Sequence, residues 1–373
     1  MKITDVQAIP VKQESIELIG DGSQDTVVIM VHTDEGITGI GEVDSSPYIV
    51  REIIEAPSSH MVCRGLKEII LGMDPFDIEV IWDKMYWESY YYGRRSVGIH
   101  AMSGIEMALW DIKGKALGLP VYKLLGGAYR TEIPAYCSVL MPEDEDGIKR
   151  IVDEQMPKGF KGIKFGWGAL GQSREKDYEL VAAARKALGK EPKLMIDIGM
   201  VWGDAKTAIQ RTNMLKEFDI DWIEEPLTPD NILGYKQLCS SVDVKISGGE
   251  EVGTLYEFKE LLDNDCVDIL QPDLSRSGGI SVAKKVADWA ALKSIPVIPH
   301  AFKTGILMSA SLQFIASVKN SYLLEYCSQE TVLSKNLIRH HFSIDKNGIV
   351  HIPDKPGLGI EIQKEILEKY AVK

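Results

Sequence analysis

Three carboxylates in the sequence each follow a short apolar run. Asp197 closes the run LMID, Glu224 closes WIE and Glu250 closes ISGGE, with separations of 27 and 26 residues. This separation is the length of one strand-helix unit, so in a parallel barrel the three side chains would converge at the carboxyl ends of consecutive strands. Without a cation they would repel one another and raise each other's pKa. Oxygen-only ligation suits Mg²⁺, with Mn²⁺ as a possible substitute, so the spacing predicts a metal site.

Each of these acids also has an ordinary interpretation. A single carboxylate at the end of a strand is often solvated, or it caps the helix that follows. The prediction of a metal site therefore depends on the even spacing of all three residues.

A histidine and an aspartate end two later apolar runs. Asp273 closes LQPD, and His300 closes VIPH 27 residues further on. On adjacent strands the carboxylate would accept a hydrogen bond from the imidazole, hold it in one tautomer and raise its basicity. We therefore predict that His300 and Asp273 form a catalytic dyad. A purely structural hydrogen bond is the alternative.

Two further charged residues belong to the same set of runs. Lys164 lies inside GIKFGWG, and Glu325 closes LLE. A lysine on an otherwise apolar strand is costly to bury unless it is paired, so its ammonium group is expected to face the acidic mouth of the barrel. Glu325 is expected to bind substrate or accept a proton, or else to support His300.

Eight apolar runs would position these residues. Each starts between 21 and 32 residues after the one before it. Eight strand-helix units of this length predict a parallel α/β barrel. A doubly wound sheet is the competing fold, but the Gly-rich phosphate turn expected after its first strand is missing. The runs are Ile133–Val139, Gly162–Phe165, Leu194–Ile198, Trp222–Glu225, Ile246–Gly249, Val267–Gln271, Pro296–Pro299 and Tyr322–Leu324.

The residues before the barrel show a different pattern. Residues 26–32 and 37–43 are two strand-like runs around the turn residues 33–36, which predicts a hairpin. Apolar residues repeat with a period near 3.6 over residues 103–117, which predicts a helix that ends before Gly118-Leu119-Pro120.

These patterns predict three parts of the chain. Residues 1–127 form an α+β domain, residues 128–341 form the barrel, and residues 342–373 return to the first domain. Within this last segment, Asn347-Gly348 is expected to form the turn of a hairpin.

The composition is that of a globular, acidic protein. The 373 residues are 45% hydrophobic, and 55 acidic against 42 basic residues give a net charge of −13. This charge repels a phosphate backbone, so no nucleic-acid partner is expected. Neither a signal or transit peptide nor an apolar run of about 18 residues is found, so we expect a cytoplasmic protein without membrane contact.

With these residues placed, the sequence resembles the mandelate racemase and muconate lactonizing branch of the enolase superfamily. The resemblance covers nearly the whole chain and implies a modified (β/α)₇β barrel, similar to a TIM barrel, closed by an α+β capping domain. It also implies a Lys or His base acting with Mg²⁺, which stabilises an enediolate. The motifs are SGIEMALWDIKGKALGLPVYKLLGG (103–127), Asp197, IEEP (223–226), GGE (248–250), QPD (271–273), GG (278–279), IPH (298–300) and LEY (324–326).

Two positions depart from the family pattern. Members often have K-x-K on the second strand, where the second lysine is a base on the face opposite the histidine, but here the run is Lys164-Phe165-Gly166. The metal-binding aspartate is often followed two residues later by Asn, whereas position 199 is Gly. A second base and one polar contact near the metal are therefore missing.

The absence of a second base favours dehydration over racemisation. Racemisation next to a carboxylate needs acid-base groups on both faces, whereas in dehydration His300 can take the α-proton and protonate the departing β-hydroxyl. The family's acid sugar dehydratases with a His–Asp dyad resemble this arrangement, in which Lys164 acts as an electrophile toward the substrate carboxylate. We predict a Mg²⁺-dependent dehydratase that converts a sugar acid into a 2-keto-3-deoxy acid. A cycloisomerase, lactonizing enzyme or racemase and a non-catalytic barrel that binds a sugar acid are the alternatives.

The resemblance also assigns roles to the first domain. Its loops over residues 16–24 and 44–48 are expected to overhang the mouth of the barrel. The cluster WESYYYGRR (87–95) would either help to close the pocket or contact another subunit, since Tyr and Arg are enriched in interfaces. A homo-oligomer is expected. No motif identifies the sugar acid.

Overall fold

The N-terminal part of the chain is built on a three-stranded antiparallel sheet. The structure, a computed structural model, describes residues 1–372. In sheet order the strands are β1 (Ile3–Lys12), β2 (Asp25–Thr33) and β3 (Thr38–Val43). β2 and β3 form the predicted hairpin, in which Val27 pairs with Val43. The prediction of a hairpin is confirmed.

Six helices complete this capping domain, and the longest packs directly on the sheet. They are α1 (Pro47–Glu55), α2 (Leu66–Ile70), α3 (Ile78–Glu88), α4 (Tyr90–Gly93), α5 (Val97–Leu117) and α6 (Val121–Leu124). A Cβ atom at Gly41 would lie 1.9 Å from the carbonyl oxygen of Gly104 in α5. Only glycine permits this approach of strand and helix.

Seven parallel strands form the wall of the barrel. They are β4 (Glu132–Leu140), β5 (Gly162–Gly166), β6 (Lys193–Asp197), β7 (Ile220–Glu224), β8 (Lys245–Gly248), β9 (Ile269–Leu270) and β10 (Leu324–Cys327). Their order in the sheet is β10-β4-β5-β6-β7-β8-β9. The predicted parallel barrel with a capping domain is confirmed.

The seventh predicted run contributes a single bridge instead of a strand. Val297 pairs with Leu270 of β9, and the backbone N–H of Val297 donates to the carbonyl oxygen of Asn320 just before β10, at 2.9 Å. Pro296 and Pro299 flank this bridge, and proline has no N–H to donate to a ladder. The run therefore keeps its place between β9 and β10 but makes few ladder hydrogen bonds.

Helices surround the barrel, and large side chains fill its interior. The outer helices are α7 (Glu145–Gln155), α8 (Arg174–Leu188), α9 (Ala205–Leu215), α10 (Ile232–Cys239), α11 (Thr254–Asp263), α12 (Ile280–Leu292), α13 (Gly305–Ser317) and α14 (Val332–Asn336). The interior cluster consists of Tyr136, Met195, Trp222, Ile269, Ile298 and Leu323. The described residues, 1–372, contain no helix that is long and apolar enough to cross a membrane.

The C-terminal segment contacts both parts of the chain. The turn at Asn347-Gly348 forms, but the strand after it, β11 (Ile349–His351), pairs antiparallel with β4 of the barrel. α15 (Lys364–Tyr370) follows, and Ala371 then bridges to Val11 of β1. The segment also contacts the capping domain before its end, where the backbone N–H of Leu358 donates to Asp111 of α5 at 2.8 Å and Gly357 bridges to Pro120. The exact boundaries of the three parts remain predictions.

Candidate active site

The carboxyl ends of the barrel strands and the capping domain enclose a pocket of about 260 Å³. Residues 19–22 and Asp44 line it from the cap, in the two loops expected to overhang the barrel. Residues 87–95 are not among the described residues that line this pocket. Their contact with another subunit, the other role expected for them, stays a prediction. The ionisable side chains in the lining are Asp21, Asp44, Lys164, Asp197, Glu250, Glu251, Arg276, His300 and Glu325.

The structure brings the three predicted metal ligands together. Asp197 and Glu224 end β6 and β7, and Glu250 lies two residues beyond β8. One carboxylate oxygen of each residue lies within 4.8 Å of the other two, and all three side chains are buried. Glu250 Oε2 is buried and has no hydrogen-bond partner within residues 1–372. An oxygen-only donor set with such an unpaired buried oxygen fits a hard divalent cation.

Neighbouring groups orient these carboxylates. Asp197 Oδ1 accepts a hydrogen bond from the backbone N–H of Gly199 at 2.9 Å. Glu224 Oε2 accepts from Trp222 Nε1 at 3.0 Å and from Gln271 Nε2 at 2.8 Å. These hydrogen bonds orient two of the three carboxylates, those of Asp197 and Glu224.

The electrostatics of the cluster call for positive charge. Burial raises the pKa of Asp197 well above its usual range, and the neighbouring charge of Glu224 raises it further. Burial likewise raises the pKa of Glu250. Since both shifts report an unfavourable cost of ionisation, a cation bound between the carboxylates would be stabilised.

Lys164 supplies one positive charge to this cluster. Its ammonium group forms ion pairs with Glu224 and, at 2.7 Å, with Glu325 Oε1, and it lies 3.9 Å from Asp197 Oδ2. Burial alone would lower the pKa of Lys164, but Glu224 and Glu325 raise it well above its usual value. These ion pairs favour the ammonium form of Lys164, which suits binding of a carboxylate.

His300 and Asp273 form the predicted pair. His300 Nδ1 lies 2.6 Å from Asp273 Oδ2, and Asp273 Oδ1 accepts from the backbone N–H and the hydroxyl of Ser275, both at 2.6 Å. Because an ionised carboxylate only accepts, Nδ1 carries the proton and Nε2 faces the pocket, 3.6 Å from Glu250 Oε2.

The charge state of His300 depends on the carboxylates around it. Burial lowers its pKa, but the charges of Glu250 and Glu325 and the hydrogen bond to Asp273 raise the pKa to about 10. A cation that neutralises Glu250 would remove part of this effect and bring the imidazole closer to its basic form.

Glu325 links the lysine to the histidine. Its Oε2 accepts a hydrogen bond from the backbone N–H of Ala301 at 2.7 Å, directly after His300. Burial would raise the pKa of Glu325, but the charges of Lys164 and His300 lower it to about 2. Oε1 pairs with the Lys164 ammonium group at 2.7 Å, and its second lone pair can still accept a hydrogen bond from a substrate hydroxyl.

The capping domain is connected to the dyad through residues that sequence reasoning missed. The backbone N–H of Asp44 donates to Ser275 Oγ at 3.2 Å, and that hydroxyl donates to Asp273. Arg276 and Lys303 form ion pairs with the Asp44 carboxylate at 2.5 and 2.6 Å. A serine two residues after an aspartate is a local turn signal, but nothing in the sequence points to the ion pairs.

The two glycines that depart from the family pattern each have a close neighbour that leaves little room for a side chain. A Cβ atom at Gly166 would lie 2.9 Å from Asp197 Oδ2, and one at Gly199 would lie 2.8 Å from the indole of Trp167. Trp167 itself has φ at 54°, in a region that few residues other than glycine adopt. The indole of Trp167 therefore occupies the space that an asparagine at position 199 would need.

Comparisons with known proteins agree with this site. Residues 4–126 match the mandelate racemase/muconate lactonizing enzyme N-terminal domain, and residues 147–366 match the enolase C-terminal domain-like family. Arabinonate dehydratase of Saccharolobus solfataricus is 32% identical over 362 residues, which cover 96% of this chain and 94% of the relative.

Solved structures show the same similarity. The 3,6-anhydro-D-galactonate cycloisomerase from Zobellia galactanivorans has a TM-score of 0.90 and 33% identity, with 100% of both chains covered. A racemase from Streptomyces coelicolor A3(2) with bound magnesium has a TM-score of 0.87 and 27% identity, covering 99% of this chain and 100% of that one. The chain thus belongs to the mandelate racemase and muconate lactonizing branch of the enolase superfamily.

Proposed function

We propose that the protein is a Mg²⁺-dependent dehydratase that converts a sugar acid into a 2-keto-3-deoxy acid. The observation that carries the proposal is the oriented His300–Asp273 pair facing a cluster of three carboxylates and one lysine, without a second base at position 166. Relatives that include the arabinonate dehydratase support the same class of reaction.

Each residue has a separate task in this reaction. Asp197, Glu224 and Glu250 would hold Mg²⁺, which supplies charge stabilisation for the substrate carboxylate as it becomes an enediolate. Lys164 binds the same carboxylate, and Glu325 accepts a hydrogen bond from the substrate while holding Lys164 in place.

His300 moves the protons. Nε2 removes the proton from the carbon next to the carboxylate, and the electron pair of that C–H bond becomes the double bond of the enediolate. The bond from the β-carbon to its hydroxyl then breaks, the imidazolium returns its proton to the departing oxygen, and water leaves. The resulting enol becomes the 2-keto-3-deoxy acid. Asp273 keeps Nδ1 protonated throughout, so Nε2 is the atom that exchanges the proton.

A cycloisomerase is the second candidate, because the cycloisomerase from Zobellia galactanivorans matches this chain over its whole length. It would use the same proton abstraction by His300 and differ in the bond that breaks at the β-carbon. The mass of the product separates the two: a dehydratase product has lost one water, whereas a cycloisomerase product has the mass of its substrate.

The test is a library of sugar acids incubated with the protein and Mg²⁺. We expect a 2-keto-3-deoxy acid from at least one member, with loss of one water in the mass spectrum of the product. The His300→Asn variant and a sample with excess chelator serve as controls, and both should be inactive. An isomer of unchanged mass would favour the cycloisomerase, and no turnover of any acid would contradict both candidates.

A further inference from the structure

One residue of the capping domain contacts both barrel loops that carry the dyad. Asp44, directly after β3, pairs through Oδ2 with Arg276 at 2.5 Å and through Oδ1 with Lys303 at 2.6 Å. Arg276 lies three residues after Asp273, and Lys303 lies three residues after His300. The Asp44 carboxylate therefore bridges the loop of the aspartate and the loop of the histidine.

The loop of the aspartate also binds the main chain of Asp44. The backbone N–H of Asp44 donates to Ser275 Oγ at 3.2 Å, and Arg276 Nε donates to the Asp44 carbonyl oxygen at 3.3 Å. The consecutive residues Ser275 and Arg276 thus hold the amide, the carbonyl and the carboxylate of Asp44. The contact fixes the position of the Asp44 backbone on the barrel as well as its charge.

Ser275 connects Asp44 to the dyad. A hydroxyl has one proton to donate, and because Ser275 Oγ accepts from Asp44 while an ionised carboxylate only accepts, that proton points to Asp273 Oδ1, at 2.6 Å. Asp273 Oδ2 is then left for His300 Nδ1, also at 2.6 Å. A chain of hydrogen bonds therefore runs from the backbone of Asp44 to the imidazole.

This group of residues is shielded from water. The side chains of Asp44 and Lys303 are 7% and 2% exposed, and Ser275 is fully buried. A carboxylate oxygen of Asp44 lies within 4.8 Å of a carboxylate oxygen of Asp273 and of a ring nitrogen of His300. Because buried ion pairs are screened little by solvent, the position of Asp44 and the geometry of the dyad are coupled.

We propose that Asp44 is a positioning residue, through which the capping domain holds His300 in the orientation that removes the α-proton. Its carboxylate sets the distance between the two loops, and Ser275 transmits the position of its backbone to Asp273. The base is fully oriented only while Asp44 is packed on the barrel, when the cap also covers the substrate. This role rests on the proposed function in one respect, namely that His300 is the base.

Ser275 offers the sharpest test, because a matched control lies on the same loop. Ser275→Ala removes the hydroxyl between Asp44 and Asp273, so kcat should fall about tenfold while KM and Mg²⁺ affinity stay within about twofold of the wild type. Ser277 is equally buried, but its hydroxyl has no hydrogen-bond partner within residues 1–372, so Ser277→Ala should keep the wild-type kcat. Equal kcat values in the two variants would overturn the proposal.

A double variant tests whether Ser275 acts through the dyad. If it does, adding Ser275→Ala to Asp273→Asn should lower kcat by less than about twofold, since the group on which the hydroxyl acts is already altered. A further tenfold loss would show that Ser275 acts by another route and would overturn its place in the chain of hydrogen bonds.

Lys303 tests the contribution of the capping domain, and it is not among the residues that line the pocket. Lys303→Met removes one of the two cations that hold Asp44, so kcat should fall several-fold at unchanged Mg²⁺ affinity. Lys285→Met removes a different ion pair between cap and barrel, with Glu79 at 2.9 Å, and should keep the wild-type kcat. A wild-type kcat in folded Lys303→Met would overturn the role of the cap. Asp44→Asn makes the same test if Lys303→Met does not fold.

The NMR signal of the His300 Nδ1 proton tests the positioning without turnover. The signal is recorded with Mg²⁺ present and assigned by its loss in His300→Asn. Ser275→Ala and Lys303→Met should shift it and speed its exchange with water, whereas Ser277→Ala should do neither. An unchanged signal in both test variants would overturn the proposal whatever the reaction is. Changed signals in a protein that turns over no sugar acid would leave the positioning standing and overturn the proposed function.

Discussion

The two walls of the pocket differ in how they are built. On one wall His300 is oriented by Asp273, which is itself held by two hydrogen bonds from Ser275. On the other wall Gly166 has no side chain, and the indole of Trp167 fills the space beside Gly199. Gly166 lies on β5, and His300 directly follows the bridge segment Pro296–Pro299. Around the barrel, β5 is the third strand from that segment, after β10 and β4. One wall is therefore a polar network that fixes an acid-base group, and the other is closed by packing.

The second base is missing from a position where any side chain would meet a close contact. A side chain at position 166 would start 2.9 Å from Asp197 Oδ2, a proposed metal ligand. Position 166 can carry a lysine only if Asp197 or β5 shifts. The one-sided proton transfer that we propose agrees with this close contact.

Replacing His300 should have the largest effect on activity. His300→Asn removes the group that both abstracts and returns the proton, so product formation and exchange of the substrate α-proton should fall together by about 10²–10⁴-fold. Asp273→Asn should leave a small remnant, because the imidazole stays but loses its orientation. Rates are measured with Mg²⁺ at saturation. Proton exchange that persists in His300→Asn would mean that Lys164 is the base.

Mg²⁺ binding by the three-carboxylate cluster should show the next largest effect. Glu224→Gln removes one charge from the three-carboxylate cluster and should weaken Mg²⁺ binding by at least about tenfold, since even a partner of a metal ligand contributes 10–100-fold. Calorimetry gives the affinity, and circular dichroism checks that the fold is kept. Glu251→Gln, a nearby acid outside the cluster, should bind Mg²⁺ as the wild type does. Undiminished affinity in Glu224→Gln would contradict the assignment.

A lysine at position 166 tests whether the wall around Gly166 has room for a second base. Gly166→Lys should displace Asp197 and reduce Mg²⁺ affinity several-fold, and it should not create exchange on the second face. Gly166→Ala, with the same first contact and no amine, should lower Mg²⁺ affinity in the same direction. Epimer formation by Gly166→Lys with normal Mg²⁺ affinity would show that the wall can admit a base.

The smallest effect is expected at Trp167. Its indole also contacts the cap loop, where a Cβ atom at Gly20 would lie 3.2 Å from the ring. Trp167→Phe should raise KM several-fold and change kcat by less than about threefold, because the ring shapes the pocket and takes no part in proton transfer. A kcat loss comparable to that of Asp273→Asn would assign Trp167 a direct part in the reaction.

The sequence was informative wherever the signal was local and repeated. Apolar runs one strand-helix unit apart located the three carboxylates, the histidine and the lysine, because a barrel places every strand end on one face. The seventh run was harder, since Pro296 and Pro299 allow only one bridge there. The hairpin turn in the C-terminal segment was recognisable, but its pairing with β4 depends on residues about 200 positions away.

Contacts across long separations were not predictable. The ion pair between Asp44 and Arg276 joins residues 232 positions apart, and neither residue belongs to a motif. The packing of Trp167 depends on a positive φ angle that its residue type disfavours. Such features are set by tertiary structure, and here they are the ones that shape the pocket around the predicted residues.

The most direct test of one-sided proton transfer is the wild-type reaction in D₂O with a true substrate. NMR and mass spectrometry follow both the product and the remaining starting material. We expect a dehydrated keto acid and starting material that has not been epimerised, because only His300 exchanges protons with the α-carbon. Epimer that appears at a rate comparable to turnover would show that a second group acts on the other face, and this result would contradict the account.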